Sequence, residues 1–270
     1  MKKRGKTTGI VIIIIILLSI SAVVMKKANT VETTVPNENT TVKYEETTAK
    51  YEGTTAIQEE KNVKLAAISK AKVGFIVFYG YFEQDNNLIN GRDEIAWLVL
   101  AVEDGKALLI SEKILDAMPY NIHNENITWE NSSIRSWLND GFYNSSFTST
   151  EKLAVATTKV INNDNPIDNT PGGNDTQDKV FLLSYKEVKK YFVSDSTRQT
   201  KGTDFAKTNG LNVSEDSFYL GNGNWWLRSP GYYPYDAGLV TYDGKVIDYD
   251  YNNGAYSTDV GVRPAIWVNY

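Results

Sequence analysis

Residues 225–231 read WWLRSPG and residues 261–268 read GVRPAIWV, and these two stretches carry the strongest signals of tertiary structure in the sequence. Each is an apolar, aromatic and β-branched run of the kind that forms buried strands. Each also holds one arginine, Arg228 or Arg263, among residues that normally lie in a core. Because proline cannot donate to a strand ladder, Pro264 favours an edge strand or a bulge in the second stretch. The two stretches therefore predict core strands near the C-terminal end of the chain, the second of them covering residues 260–268.

Further strands are predicted before and between these two stretches. Asp-Gly dipeptides between apolar runs are strong hairpin signals, and they occur at Asp104-Gly105 and at Asp243-Gly244. Runs of β-branched and aromatic residues complete the set. The additional predicted strands cover residues 73–82, 95–102, 107–110, 180–183, 239–242 and 245–247.

The predicted helices are few and short, with starts near Ser132, Thr148, Ser184 and Asp204. Thr148 and Ser184 each precede a glutamate by three residues, which is the capping-box pattern. The first helix carries an apolar stripe and is expected to end at Gly141. Residues 71–270 are therefore predicted to form one antiparallel, strand-rich α+β domain with a few short helices and long loops.

The C-terminal stretches belong to a wider pattern with residues 129–130 (WE), 133–139 (SIRSWLN) and 180–184 (VFLLS). Together they resemble the bacterial domain-of-unknown-function family 6273, which is found on exported and surface proteins. The resemblance covers nearly the whole span of residues 73–270. It implies the architecture of that family and no particular chemistry.

A more distant resemblance is to the C-type lectin-like fold, including relatives of the formylglycine-generating enzyme. In that fold too, a strand similar to WWLRS and a terminal G-x-R-x-A strand frame a variable, loop-rich segment. The catalytic members among those relatives need cysteines, and this chain has none. The resemblance therefore implies a lectin-like domain without that oxidase chemistry.

The composition excludes several classes of enzyme. With no cysteine, the chain has no disulfide scaffold, thiolate nucleophile, Cys-bound zinc or iron–sulfur cluster. Its one histidine, His123, cannot supply the imidazoles of a typical catalytic zinc site, and no GxSxG motif accompanies it. These counts favour a protein that is not an enzyme. Paired carboxylates stay open as a catalytic alternative, because acids are plentiful.

Residues 1–27 carry a charge of +6 around the apolar run at residues 10–25. That run covers about 24 Å as a helix, which flanking residues and snorkelling lysines extend toward the ~30 Å of a bilayer core. Four positive charges precede the run, so the N-terminus is expected in the cytoplasm and the body outside the cell. A cleaved signal peptide, with small residues at 19–22, is the alternative.

Residues 28–70 are polar, rich in threonine and glutamate, and predicted to form a disordered stalk. They contain the seven-residue repeat KYEETTA, KYEGTTA at residues 43–56. Beyond residue 27 the chain holds 22 basic and 33 acidic residues, a net charge of −11. This balance argues against a nucleic-acid partner, because duplex binding relies on lysine and arginine at phosphates.

Arg228 and Arg263, each within a run of core-type residues, allow two interpretations. A guanidinium offers bidentate donors, so Arg228 and Arg263 could clamp an anion or a carboxylate. A structural role, in which they pair with acids such as Glu130 or Asp236, is favoured because core-type residues surround them. The residues predicted to be structural are Arg228, Arg263, Trp225, Trp226 and Trp267.

The segment after Trp226 is rich in tyrosine, aspartate and asparagine, which suits recognition of a sugar or a peptide. Tyrosine rings offer stacking area at low entropy cost, and the polar groups supply oriented hydrogen bonds. Tyr249 and Tyr251 lie two apart and equally fit a strand face. The candidate ligand-binding residues are Tyr232, Tyr233, Tyr235, Asp236, Tyr249, Asp250, Tyr251 and Asn252.

Residues 162–178 form a long polar segment with enough carboxylates to suggest calcium. The candidate ligands are Asp164, Asp168, Asp175 and Asp178. Their spacing does not match an EF-hand loop, so a polar loop without metal is favoured and no cofactor is predicted.

The sequence thus predicts a membrane-tethered extracellular binding module for a carbohydrate or protein ligand. Its partners would be the membrane, through the N-terminal helix, and that extracellular ligand. A carboxylate-based hydrolase of envelope polysaccharide and a structural surface domain without catalytic function are the alternatives.

Overall fold

The computed structural model of the chain describes residues 58–247 and 254–270. The strands are β1 (Ile76–Phe82), β2 (Asp93–Glu103), β3 (Lys106–Ser111), β4 (Asp116–Ala117), β5 (Thr158–Val160), β6 (Thr176–Asp178), β7 (Trp225–Pro230), β8 (Ala237–Val240), β9 (Val246–Ile247), β10 (Gly261–Val262) and β11 (Ala265–Asn269). The helices are α1 (residues 58–70), α2 (Ser133–Trp137), α3 (Tyr143–Ser146), α4 (Ser149–Lys152), α5 (Tyr185–Tyr191), α6 (Asp195–Arg198) and α7 (Asp204–Thr208). Antiparallel strands with short helices confirm the predicted α+β class.

One sheet has four antiparallel strands in the order β1-β2-β3-β11. The turn between β2 and β3 is formed by Asp104 and Gly105, whose φ angles are 45° and 75°. Positive φ at both central residues is what a tight hairpin requires, and the Asp-Gly pair tolerates it. The first predicted hairpin is therefore confirmed.

Strand β1 is bent by a bulge between Phe78 and Tyr81. Gly80 lies in the bulge with φ of 70°, and a Cβ there would come within 2.6 Å of the Phe147 ring and 2.8 Å of the Ser146 carbonyl oxygen. Only glycine fits both the conformation and the close approach. The bulge brings the second half of β1 against the segment that holds α3 and α4.

The second sheet has the order β4-β10-β7-β8-β9, with β10 and β7 parallel and the other pairs antiparallel. The second predicted hairpin, around Asp243-Gly244, is confirmed as the β8–β9 pair. The single strand predicted for residues 260–268 is wrong, because it breaks at Arg263 and Pro264. Its first part, β10, belongs to the second sheet, and β11 is an edge strand of the first. Proline lacks the amide that a continuous ladder needs, so the chain passes from one sheet to the other here.

Two further predictions of secondary structure are wrong. Residues 180–183 form no strand, and Phe181 makes only an isolated bridge to Ala265. Gly141 does not end the helix after Ser132, because a π-helical turn, Leu138–Phe142, continues directly into α3. Glycine costs only about 1 kcal/mol in a helix, and the burial of Leu138 and Phe142 offsets that cost.

Both predicted capping boxes are present. The Thr148 side chain accepts from the amide of Glu151, and the Glu151 carboxylate accepts from the amide of Thr148. Ser184 and Glu187 make the same reciprocal pair at the start of α5. Each box satisfies amides that a helix start otherwise leaves without partners.

Large aromatic side chains fill the core. Trp97, Trp129, Trp225 and Trp226 are fully buried, as are Tyr79 and Tyr120. Trp267, also predicted to be structural, is only partly buried, with the Lys106 ammonium 4.8 Å above its ring. The tryptophan-rich stretch 225–231 therefore supplies the centre of the core as β7.

The last part of the predicted stalk is helical. Helix α1 buries Ile68 completely and Lys64 nearly so, and the prediction of disorder up to residue 70 is wrong for residues 58–70. Lys64, Ile68 and Ala71 recur at helical spacing, and this short stripe gives α1 a face to bury. The predicted anchor, the repeat and the rest of the stalk lie outside the described residues. No helix in the described part of the chain is both long enough and apolar enough to cross a bilayer.

Candidate functional site

Three of the predicted ligand-binding tyrosines lie together in the loop between β7 and β8. We call Tyr232, Tyr233, Tyr235 and the nearby Tyr256 the tyrosine surface. Their side chains are 40–49% exposed. The rings of Tyr232 and Tyr233 meet edge to face with centroids 4.6 Å apart, and those of Tyr233 and Tyr235 stack with centroids 5.2 Å apart. These contacts hold the rings in place while leaving much of their area to solvent.

The backbone under the tyrosine surface is fixed by three other segments of the chain. The Thr170 hydroxyl donates to the Tyr232 carbonyl at 2.6 Å. The amides of Ile127 and Ala255 donate to the carbonyls of Pro234 and Tyr235 at 2.8 and 3.1 Å. A loop tied down in this way loses little conformational freedom when a ligand binds.

Asp236, the fourth predicted ligand-binding residue in this loop, is buried at 7% exposure. Burial raises the pKa of its carboxyl group, although a backbone hydrogen bond from Tyr233 opposes the shift. Partial desolvation and the charge of Asp236 also raise the pKa of Tyr235, whose hydroxyl therefore stays protonated and able to donate. The other four predicted residues, Tyr249, Asp250, Tyr251 and Asn252, lie outside the described residues.

Arg228 is buried at 4% exposure, but its acidic partner is Glu187 rather than Glu130 or Asp236. Its guanidinium also donates to the carbonyl oxygens of Leu182 at 2.8 Å and Ile161 at 3.1 Å. Its Nε is buried without a hydrogen-bond partner in the described part of the chain. The geometry is that of a cross-link between β7, α5 and the segment after β5, with little of Arg228 open to a ligand.

Arg263 is also buried, between the rings of Phe192 and Trp225 at 5.6 and 5.0 Å. It has no carboxylate partner within residues 58–247 and 254–270, and it donates to three carbonyl oxygens. These belong to Ser111, Arg198 and Glu112, at 2.9 to 3.3 Å. Burial lowers the pKa of this guanidinium, and the charge of Glu112 partly opposes the shift. Arg263 thus stabilises the segment in which the chain passes from the second sheet to the first.

The structure does not bring the four calcium candidates together. Asp164 accepts from the amide of Gly172, and Asp175 accepts from the amide of Asn162 and pairs with Lys159. Asp178 is buried, where it binds the Trp129 indole and the Arg135 guanidinium. Asp168 lies in the turn after Asn165. Among the described residues, these four acids form no group of three or more carboxylates that could hold a metal ion.

A different acidic cluster, which the sequence did not indicate, lies between β1 and β2. Oxygen atoms of Glu83, Asp85 and Asp93 lie within 4.8 Å of one another. Carboxylate oxygens at this spacing could hold a hard cation such as Ca²⁺. Backbone amides already satisfy part of the cluster, since Asn87 donates to Glu83 and Gln84 donates to Asp93. The short acidic spacing after β1, E-x-D, was the only signal for it.

His123 is exposed, and its carbonyl oxygen accepts from the Asn121 side chain. In the described part of the chain, no serine–histidine–carboxylate arrangement forms around it. The tyrosine surface is therefore the best-organised site among the predicted residues.

The comparisons with known proteins give one finding. The family model described as Domain of unknown function (DUF6273) matches residues 104–270. The match begins at the turn after β2, so β1 and β2, which the sequence resemblance includes, precede it. Searches of the curated proteins and of the solved structures found no match. The C-type lectin-like resemblance therefore stays a prediction. Because the model covers more than half of the chain, this protein belongs to the family Domain of unknown function (DUF6273).

Proposed function

We propose that this chain is a membrane-tethered extracellular binding module that recognises a carbohydrate or protein ligand through the tyrosine surface. The observation that carries the proposal is the cluster of stacked, 40–49% exposed tyrosines on a backbone held by three other segments. Exposed aromatic side chains that are already fixed in position are typical of recognition surfaces.

The chemistry of the surface suits ligands with both apolar and polar faces. A tyrosine ring offers an apolar face for stacking against a sugar ring or an aliphatic side chain. Its hydroxyl donates or accepts a hydrogen bond at the rim of the same contact. With Tyr232 and Tyr233 edge to face and Tyr233 and Tyr235 parallel, the surface presents rings in two orientations. Such a surface would bind a ligand that extends over several sugar or amino-acid units.

The proposed binding is expected to depend on the tyrosines as a group. Replacing Tyr232, Tyr233 and Tyr235 together with alanine should lower affinity for the ligand at least about tenfold, because the stacking area is lost. The full chain and the triple variant would be titrated by calorimetry against cell-wall glycan fragments and candidate surface proteins.

The matched control for this experiment is Tyr242→Ala. Tyr242 is 42% exposed and lies outside the tyrosine surface, where its ring packs on that of Tyr219 with centroids 5.6 Å apart. It should leave affinity unchanged. Ligand affinity that survives the triple substitution, or a panel without any binder, would contradict the proposal.

The proposed tether rests on the basic tip and the apolar run of residues 1–27. The full chain should stay with the membrane after alkaline carbonate extraction, and protease added to intact cells should digest the domain. A variant without residues 1–27 serves as the control and should remain soluble in the cytoplasm. Release of the full chain by carbonate, or a mature N-terminus near residue 22, would show a cleaved signal peptide instead.

A further inference from the structure

A cleft of about 740 Å³ lies against the first sheet, between β1 and β2, the residues after β3 and two later segments, residues 196–201 and 217–222. An antiparallel bridge joins these two later segments. The Thr200 hydroxyl donates to the Glu112 carbonyl at 2.6 Å, which attaches the first of them to the residues after β3. The walls of the cleft are therefore held together by the fold itself, so a ligand that binds there loses little affinity to the ordering of loops.

The charged side chains that line this cleft are mostly basic, and we call it the basic cleft. Lys113, Lys201 and Arg263 contribute three positive charges. Glu112 contributes one negative charge, which leaves a formal net charge of +2. In the described part of the chain, none of these four side chains forms a salt bridge. The chain beyond residue 27 is acidic, so the basic cleft is a local positive region that would attract an anion.

Arg263 gives the strongest reason to expect a bound anion. It is 3% exposed, and three of the five N–H groups of its guanidinium donate to carbonyl oxygens. The other two N–H groups have no acceptor among the described residues. Glu112 is near enough to influence this charge but forms no salt bridge with it. A buried charge without a paired counter-ion is costly, and because Arg263 lines the basic cleft, an anion bound there would supply one.

Apolar side chains line the same cleft. Ile76 and Leu98 contribute from the first sheet, and Phe218 and Leu220 contribute from outside it. The side chains of Phe218 and Leu220 are 88% and 60% exposed. The amide of Phe218 donates to the Asp216 carboxylate at 2.8 Å, which fixes the turn that carries this ring. A cleft that combines apolar side chains with a few charged groups is typical of sites for small molecules, and this one suits an anion joined to an apolar group.

We propose that the basic cleft binds a phosphate monoester that carries an apolar or aromatic group. The phosphoryl oxygens accept hydrogen bonds from Arg263 and are attracted by Lys113 and Lys201. The apolar group packs on Phe218 and Leu220. This site uses none of the residues of the tyrosine surface, so it is a second binding function that does not depend on the first.

The charge of the cleft favours a phosphate monoester over a carboxylate. A phosphate monoester carries a charge of about −1.5 to −2 at neutral pH, which balances the net charge of the cleft. A carboxylate has a single charge and would leave one positive charge without a partner. The three terminal oxygens of a phosphate monoester can also accept from a guanidinium and from lysines at the same time. The double charge and the additional oxygens therefore select the phosphoryl group.

The test compares four small probes, each titrated by calorimetry into the full chain in mild detergent. Phenyl phosphate should bind, more weakly at high salt, and about tenfold more tightly than benzoate or inorganic phosphate. Benzoate lacks the second charge, and inorganic phosphate lacks the ring. Benzamide has no charge and should not bind. No binding of phenyl phosphate at about 5 mM, or equal binding of any other probe, would overturn the proposal.

Two double variants locate the binding in the basic cleft. Lys113→Ala/Lys201→Ala removes two exposed charges from it and should weaken phenyl phosphate at least about tenfold. The matched control, Lys186→Ala/Lys189→Ala, removes two exposed lysines from a different cleft of about 420 Å³ and should leave the affinity unchanged. Equal affinities of the two double variants, or a loss in the control alone, would place the phosphate elsewhere.

Two single substitutions separate the two halves of the ligand. Phe218→Ala should weaken phenyl phosphate several-fold and leave inorganic phosphate unchanged, because only the apolar contact is lost. Arg263→Gln should weaken both phosphates at least about tenfold, because a charged donor is lost. If Arg263→Gln fails to fold, the variants at the exposed Lys113, Lys201 and Phe218 still decide the matter. Unchanged affinity for phenyl phosphate in Phe218→Ala would contradict the proposed apolar half of the site.

Discussion

Replacing Lys64 with methionine is expected to lower the free energy of unfolding by about 3 kcal/mol and to release helix α1 from the domain. Lys64 is 9% exposed and pairs with three carboxylates, Glu60, Glu94 and Glu151, at 2.9 to 3.3 Å. Burial alone would lower the pKa of this ammonium group, but its hydrogen bonds and the charge of Glu151 raise it above the ordinary value. Lys64 is therefore charged at all ordinary pH values.

The cost of the substitution comes mainly from Glu151. Its side chain is 4% exposed, and without Lys64 it becomes a buried carboxylate with no cation. Backbone amides of Thr148 and Gly80 still donate to it, which limits the loss to the lower part of the range for broken buried pairs.

Urea unfolding of the full chain measures the loss, and limited proteolysis within residues 58–70 reports the release of α1. Lys70→Met is the control, because Lys70 is exposed on the same helix. Equal stability of the two variants would contradict the role of Lys64.

Replacing Arg228 with methionine is expected to cost about 3–5 kcal/mol at neutral pH. The substitution leaves the Glu187 carboxylate without its cation and the carbonyls of Leu182 and Ile161 without their donors. The double variant Arg228→Met/Glu187→Gln should lose less than the sum of the single changes, because the two residues share one interaction. Arg92→Met, at an exposed arginine, is the control and should change stability little.

The effect of Arg228 should also depend on pH. Burial alone would raise the pKa of Glu187, but the charge and hydrogen bond of Arg228 hold it below its ordinary value. A carboxylate with a lowered pKa in the folded state stabilises the protein above the unfolded pKa, about 4.3. That contribution is lost as the pH falls through the lower, folded pKa. The difference between wild type and Arg228→Met should therefore shrink when urea unfolding is repeated below about pH 4, and a constant difference would show that Glu187 is not the partner that matters.

Local signals in the sequence predicted local structure well. Asp104-Gly105 and Asp243-Gly244 form the expected turns, and both capping boxes are present, because each depends on residues three or fewer positions apart. Pro264 correctly predicted an edge strand. The division of residues 260–268 between two sheets, however, depends on strands that are far away in the chain.

Contacts between distant residues could not be predicted in the same way. The pair of Arg228 and Glu187 spans 41 residues, and the contact of Lys64 with Glu151 spans 87. The sequence contains many acids, and each could equally well be the partner of Arg228 or Lys64. Only the packing of α1, α4 and α5 brings Glu187 and Glu151 to these two positions. The stalk boundary was wrong for this reason, since a short stripe on α1 gains its stability from partners elsewhere in the chain.

The candidate site was predictable in part. Proline and glycine beside Tyr232, Tyr233 and Tyr235 indicated an exposed loop, which is where these residues lie. The bulge in β1 depends on strand register and on the close approach of Phe147 to Gly80, and neither can be predicted from residue type alone. The burial of Asp236 likewise depends on packing between distant parts of the chain.

The attachment of α1 has a consequence for how the domain bears mechanical load. A pulling force applied at residue 58 would reach Lys64 first and would pass to β1 through Tyr81, to β2 through Glu94 and to α4 through Glu151. Because three elements share the force, tension would be spread across the sheet rather than peeling one strand from its end. The ion pairs of α1 would break at a lower force than the strands of the core need to separate. The helix would therefore detach before the sheet opens.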